Sequence, residues 1–167
     1  MVSINDLEKS VRDKIGRFGF AVISVFADED FPTFSYTAGL SEKGLPELVM
    51  VGIPAKDAHP ILNEAAQRQI DQGVFQAGLR VPELIANFDC LVGDVANEWV
   101  SRLCWMAQAM ASDALAVKAR QIIWPDMRGR FPGEEDYDSR FIEIQPDLAI
   151  APEPPEPVSR PGSNRLH

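Results

Sequence analysis

The chain has 167 residues, of which 46% are hydrophobic and 25% charged, with two cysteines, two histidines and a formal net charge of −9. That length suits one domain whose core needs no metal or disulfide, and the negative charge argues against nucleic acid or an anionic membrane as partner, since either needs a positive field. No apolar run reaches the ~18 residues of a membrane span, and the start of the chain has neither the basic residues nor the apolar stretch of a signal peptide, so a cytoplasmic protein is expected.

Ile4, Leu7, Val11, Ile15 and Phe18 recur at helical spacing. They predict a helix near residues 5–16, started by Ser3 or Asn5 and closed by Gly16 and Gly19. Phe20 to Phe26 is apolar and partly β-branched, the composition of a buried strand, and Asp28, Glu29, Asp30 and Pro32 make the turn that follows. From Thr33 to Ala38 the side chains alternate, with Phe34, Tyr36 and Ala38 on one face and Thr33, Ser35 and Thr37 on the other. Gly39 and the Ser41–Gly44 stretch form the next turn, and Leu48 to Val51 is a third strand. Three strands on tight connections predict an antiparallel meander.

A second helix is expected from near Asp57 to Gln72, with Pro60 in its first turn and Gly73 as its stop. Val74 to Val95 reads as two or three short strands, while Trp99, Leu103, Met106 and Met110 mark a third helix. Leu115 to Trp124 returns to strand. From Ala149 onward proline dominates, so residues 149–167 are predicted to be a flexible or extended tail behind a single domain over residues 1–148. The fold class expected is α+β, with a mainly antiparallel sheet, about three helices, and barrel-like closure as an alternative form of the sheet.

Several chemistries lack their residues. His59 precedes Pro60 at a helix start and reads as a capping or surface imidazole, and no cysteine pair has zinc-ligand spacing, so no metal is expected. Cys90 and Cys104 sit in apolar patterns and read as small buried residues. Neither a phosphate-binding P-loop nor a dinucleotide glycine fingerprint is present. Trp124-Pro125-Asp126 is the tripeptide of the mobile acid loop of tyrosine phosphatases. That chemistry also needs a cysteine thiolate followed six residues later by arginine, where this chain has Ala96 after Cys90 and Met110 after Cys104.

Two constellations remain. One is the hydroxyl-bearing strand Thr33-Ser35-Thr37 with Tyr36 and Glu47, next to Gly39, where a ligand or backbone can approach closely. The other is Lys118 to Arg130, in which Lys118, Arg120, Arg128 and Arg130 face a single acid, Asp126, leaving +3 within a −9 chain. Arginine presents a bidentate fork to carboxylate or phosphate, so this stretch is an anion-site candidate, with pairing to Glu134, Glu135, Asp136 and Asp138 as the structural alternative. Gln121 and Trp124 complete the set, the indole as a stacking surface or a core plug.

At these residues the chain resembles an uncharacterised bacterial domain-of-unknown-function family (DUF4262-like). The resemblance is carried by Gly19-Phe20, Tyr36-Thr37-Ala38-Gly39-Leu40, Pro46-Glu47-Leu48, Gly73, Gln121, Trp124-Pro125-Asp126, Gly129, Pro132 and Gln145-Pro146, and it implies no established activity. Three functions are compatible with the sequence. The favoured one is a noncatalytic module binding a small molecule or a protein, with a site formed jointly by the Tyr36-Thr37 bend and the Trp124–Arg130 loop. A flavin-binding split-barrel oxidoreductase is the alternative, with FMN as cofactor at a homodimer interface and Thr37, Gly39, Arg128 and Arg130 serving its phosphate. The third is a hydrolase using Glu47 and Asp126 as a carboxylate pair.

Overall fold

The computed structural model describes residues 3–154. Ser3 accepts the Asp6 backbone N–H at 3.1 Å and starts helix α1 (Ile4–Phe18), which ends at Gly19. Strands β1 (Ala21–Val25), β2 (Phe34–Ala38) and β3 (Glu47–Val51) then form the predicted antiparallel meander, with Ile23 opposite Tyr36 and Tyr36 opposite Val49. Helix α2 (Ala55–Gln72) begins two residues earlier than expected, so that Pro60 sits inside it rather than in its first turn. The carbonyl that Pro60 leaves without a helical donor belongs to Lys56, and both residues are exposed, so the missing bond falls on the solvent side of the helix.

Strands β4 (Arg80–Ile85) and β5 (Phe88–Asp94) form a hairpin turning at Asn87, and β6 (Ala119–Ile123) pairs with β5. The predicted third helix is two helices, α3 (Asn97–Leu103) and α4 (Trp105–Met110), which bring the total to four α-helices among the described residues. They break at Cys104 (φ −102, ψ 39), and the Met106 N–H, deprived of a helical acceptor, donates to the Tyr36 hydroxyl at 3.1 Å. A periodic apolar stripe cannot reveal this break, because both short helices keep their apolar sides on the same core.

The six strands lie in the order β1-β2-β3-β6-β5-β4, and every pair is antiparallel except the central β3–β6. Two three-stranded meanders are thus joined through one parallel seam. The sheet is open and does not take the barrel-like form. The reason lies in its two covered faces, since closure would turn one of them into an interior. On one face Tyr36, Val49 and Val51 pack with Val11 of α1 and with Val100, Leu103 and Met106 of α3 and α4. On the other, Leu48, Met50, Ile122 and Trp124 pack under Leu62, Ala65 and Ala66 of α2. The middle strand β3 is buried at every position, as a strand covered on both faces must be.

Beyond β6 the chain returns across the sheet. The side-chain amide of Gln121 donates to the Pro146 carbonyl at 3.0 Å and accepts the Leu148 N–H at 3.1 Å, and Ala96 N–H donates to Leu148 carbonyl at 2.7 Å. Gln145 spans the backbone of Trp124, accepting its N–H and donating to its carbonyl, both at 2.9 Å. Residues 145–150 are therefore a strap held by amide side chains, and the expected tail boundary at Ala149 falls inside it; the rest of that tail from Pro155 onward lies outside the described residues. Among the described residues no helix is long and apolar enough to cross a membrane.

Candidate functional site

The Tyr36–Glu47 constellation is turned inward. Glu47 is fully buried, and its carboxylate accepts five hydrogen bonds: from the Thr37 hydroxyl (2.8 Å), the Gly39, Leu40 and Ser41 N–H groups (3.2, 3.2 and 3.0 Å) and the Ser41 hydroxyl (2.7 Å). It thereby holds the start of a single 3-10 turn, Leu40–Lys43, that connects β2 to β3. Burial raises the Glu47 carboxyl above its ordinary range, while the donors on Ser41, Thr37 and Leu40 act in the opposite direction. Thr37 is engaged twice, because its hydroxyl also accepts the Leu48 N–H at 2.9 Å.

The remaining hydroxyls of β2 are equally committed. Ser35 bonds Ser24 at 2.7 Å, Thr33 donates to the Val25 carbonyl at 2.9 Å, and the face they occupy lies beneath α2. Gly39 does mark a close approach, and what approaches is backbone. At φ 113, a Cβ there would stand 2.9 Å from the Gly19 carbonyl oxygen and 3.1 Å from the Phe20 Cα. The Tyr36 phenol, buried against α4, is pushed well above its ordinary range by that burial.

Trp124 also belongs to the core. Its ring packs edge-on against Phe141 at 5.2 Å, its Nε1–H donates to the Val51 carbonyl at 2.7 Å, and it faces α2 whereas Tyr36 faces α3 and α4. The Tyr36 ring and the indole thus lie on opposite faces of the sheet, whereas Thr37, opposite Val22, shares the α2 face with the indole and is spent there on Glu47 and Leu48. Gln121 is spent on the strap. Lys118 and Arg120 sit at the far end of β6, bonded to Asn97 (3.4 Å) and to Asp94 and the Phe75 carbonyl (both 3.1 Å). The strand therefore divides the positive stretch into two groups.

What remains together is the loop past β6. Asp126 is buried and organises it: one carboxylate oxygen accepts the Arg128 and Arg130 N–H groups, both at 2.9 Å, and the other accepts the Asp138 N–H (3.0 Å) and the Arg130 Nε–H (3.2 Å). Burial acts to raise this carboxyl, but the N–H groups of Arg130, Asp138 and Arg128 and the Arg130 guanidinium outweigh it and hold it below the usual carboxylate range. The same loop closes on Asp138, whose carboxylate pairs with Arg140 at 2.7 Å and is drawn down to about 2 by the Arg140 side chain.

Around these groups opens a cavity of about 720 Å³, whose wall includes Asp126, Arg128, Arg130, Tyr137, Asp138 and Arg140. Arg130 and Arg140 are paired with acids, whereas Arg128 is exposed and makes no ion pair among the described residues. Burial raises the Tyr137 phenol, with Gln145 opposing. The Tyr137 hydroxyl is shielded from solvent and has no hydrogen-bond partner within ordinary geometry among the described residues. Tyr137, Asp138 and Arg140 were absent from the residues picked out by sequence as ligand-binding. Their only signal was the spacing Asp138-Ser139-Arg140, an aspartate two residues before the N–H it caps at 3.0 Å.

A family model described as "Domain of unknown function (DUF4262)" matches residues 14–138 of the chain. No curated protein and no solved structure matches it.

Proposed function

We propose that this chain, which belongs to the DUF4262 family, is a noncatalytic binding module that takes a small anionic ligand in the recess between Asp126 and Arg140. The observation that carries this reading is Arg128, an exposed guanidinium without an ion pair among the described residues, at a cavity whose other arginines are already neutralised by Asp126 and Asp138. A guanidinium of that kind offers its full fork to a carboxylate or phosphate. A volume of about 720 Å³ suits a metabolite-sized molecule.

A binding role is favoured over a carboxylate pair by how the two acids are used. Glu47 and Asp126 spend their oxygens on five and four internal hydrogen bonds, and a general acid or base needs a lone pair or proton turned toward the substrate. The module is read as cytoplasmic because Cys90 and Cys104 are buried free thiols, with burial lifting Cys90 to about 12. Thermal shift against phosphate, citrate and nucleotides is the test. A ligand at a hundred times its Kd should add about 2.7 kcal/mol, and Arg128→Ala should abolish that gain without altering the ligand-free midpoint. Full stabilisation retained by Arg128→Ala, or none with any anion, would overturn the reading.

A further inference from the structure

A second groove, distinct from the anion recess, opens on the helical face beside the α3–α4 corner. It measures about 410 Å³ and is lined from two sides: the β1–β2 connection supplies Asp28, Asp30 and Phe31, and the two helices supply Trp99, Arg102 and Trp105. Phe31 meets the buried ring of Phe34 edge-on at 5.6 Å and lies 5.2 Å from Trp99, while Trp105 remains 42% exposed. Two of the three tryptophans of the chain thus stand at one opening. An aromatic ligand gains there both buried area and ring-to-ring contact.

Both signs of charge are held at this groove. One oxygen of the Asp28 carboxylate accepts the Asp30 and Phe31 N–H groups, both at 2.8 Å. The loop thereby orients the acid, and its second oxygen makes no hydrogen bond among the described residues. The Arg102 guanidinium lies 5.8 Å from the centre of the Trp99 ring, a cation–π contact that keeps it along the aromatic wall. Among the described residues Arg102 pairs with neither Asp28 nor Asp30. Opposite charges in direct contact would neutralise each other; held apart beside aromatic rings, they suit a ligand that carries both. The geometry points to a site for a free α-amino acid with an aromatic side chain. Its carboxylate meets the Arg102 fork, its ammonium donates to Asp28 and Asp30, and its ring lies against Phe31 and Trp105. The volume falls toward the lower end of the roughly 300–1,000 Å³ of small-molecule sites, as so small a ligand requires.

The test uses the full chain labelled with 5-fluorotryptophan, whose three signals report Trp99, Trp105 and Trp124. L-Phenylalanine should shift the Trp99 and Trp105 signals saturably. The Trp124 signal, buried on the opposite face, should stay in place and report an intact fold. N-acetyl-L-phenylalanine, without the ammonium, and 2-phenylethylamine, without the carboxylate, should each bind at least about tenfold more weakly, the loss expected for one charge-assisted hydrogen bond. L-Alanine, without the ring, should shift nothing. Arg102→Gln should reduce phenylalanine to the affinity of 2-phenylethylamine, while the amine binds no more weakly than before. Asp28→Asn, which keeps an acceptor for the loop N–H groups, should weaken phenylalanine and the amine alike. No saturable shift with phenylalanine would overturn the proposal. So would an amine that binds as tightly as the amino acid, because the groove would then hold a cation and not a zwitterion, and so would an equal response to L-alanine.

Discussion

The Tyr36 hydroxyl shows how a single atom can decide the course of the chain. Its oxygen receives the Met106 N–H at the break between α3 and α4, an amide that would otherwise be a buried donor with no partner. Tyr36→Phe keeps the ring and removes the acceptor, so it should cost about 1–3 kcal/mol, measured as a lower urea midpoint. Amide exchange should quicken at Met106 and not at Val100, whose N–H bonds Ala96. The sequence identified Tyr36, Thr37, Gly39 and Glu47 as a polar-aromatic group, and the structure joins Thr37, Gly39 and Glu47 in one hydrogen-bonded turn. Its inward orientation was not legible, because alternation separates two faces of a strand without saying that a helix covers both.

At the scale of the element, the meander, the α2 periodicity and the β4–β5 hairpin were readable because each rests on local spacing and turn residues. The parallel β3–β6 seam and the strap were not, since they join residues far apart in the chain through amide side chains that look like ordinary surface glutamines. Gln145→Ala removes both bonds to the Trp124 backbone and leaves a buried N–H and carbonyl unpaired. A loss of about 2–4 kcal/mol is expected, with faster hydrogen exchange confined at first to residues 121–124 and 145–150. The loop around the recess has its own signature. Asp138 is held at about 2 by Arg140, below the ~3.9 of an unfolded aspartate. A depressed folded value means that its stabilising contribution is present above pH ~4 and disappears as pH falls toward about 2. The stability difference between wild type and Asp138→Asn should therefore be constant at neutral pH and shrink across that window. A titration midpoint for Asp138 near its unfolded value in an NMR pH series would contradict this, and Arg140→Gln should move the midpoint upward.

For the whole molecule, two antiparallel halves share a core strand pair, so neither half retains its covered faces without the other, and a single cooperative unfolding transition is expected. The two outer strands of the sheet are guarded differently. On β4 the pairing with β5 slips between Val81 and Ile85, where Pro82 removes a donor and Glu83 adopts φ 54, features that deter another strand from adding there. Strand β1 carries no proline and no charge along Ala21–Val25, and Phe26 beyond it is 82% exposed. When the protein is warmed or concentrated, clumping should therefore nucleate along that unguarded margin. Phe26→Lys should delay the onset of turbidity while leaving the unfolding midpoint unchanged, whereas a charge introduced on the β4 side should gain nothing.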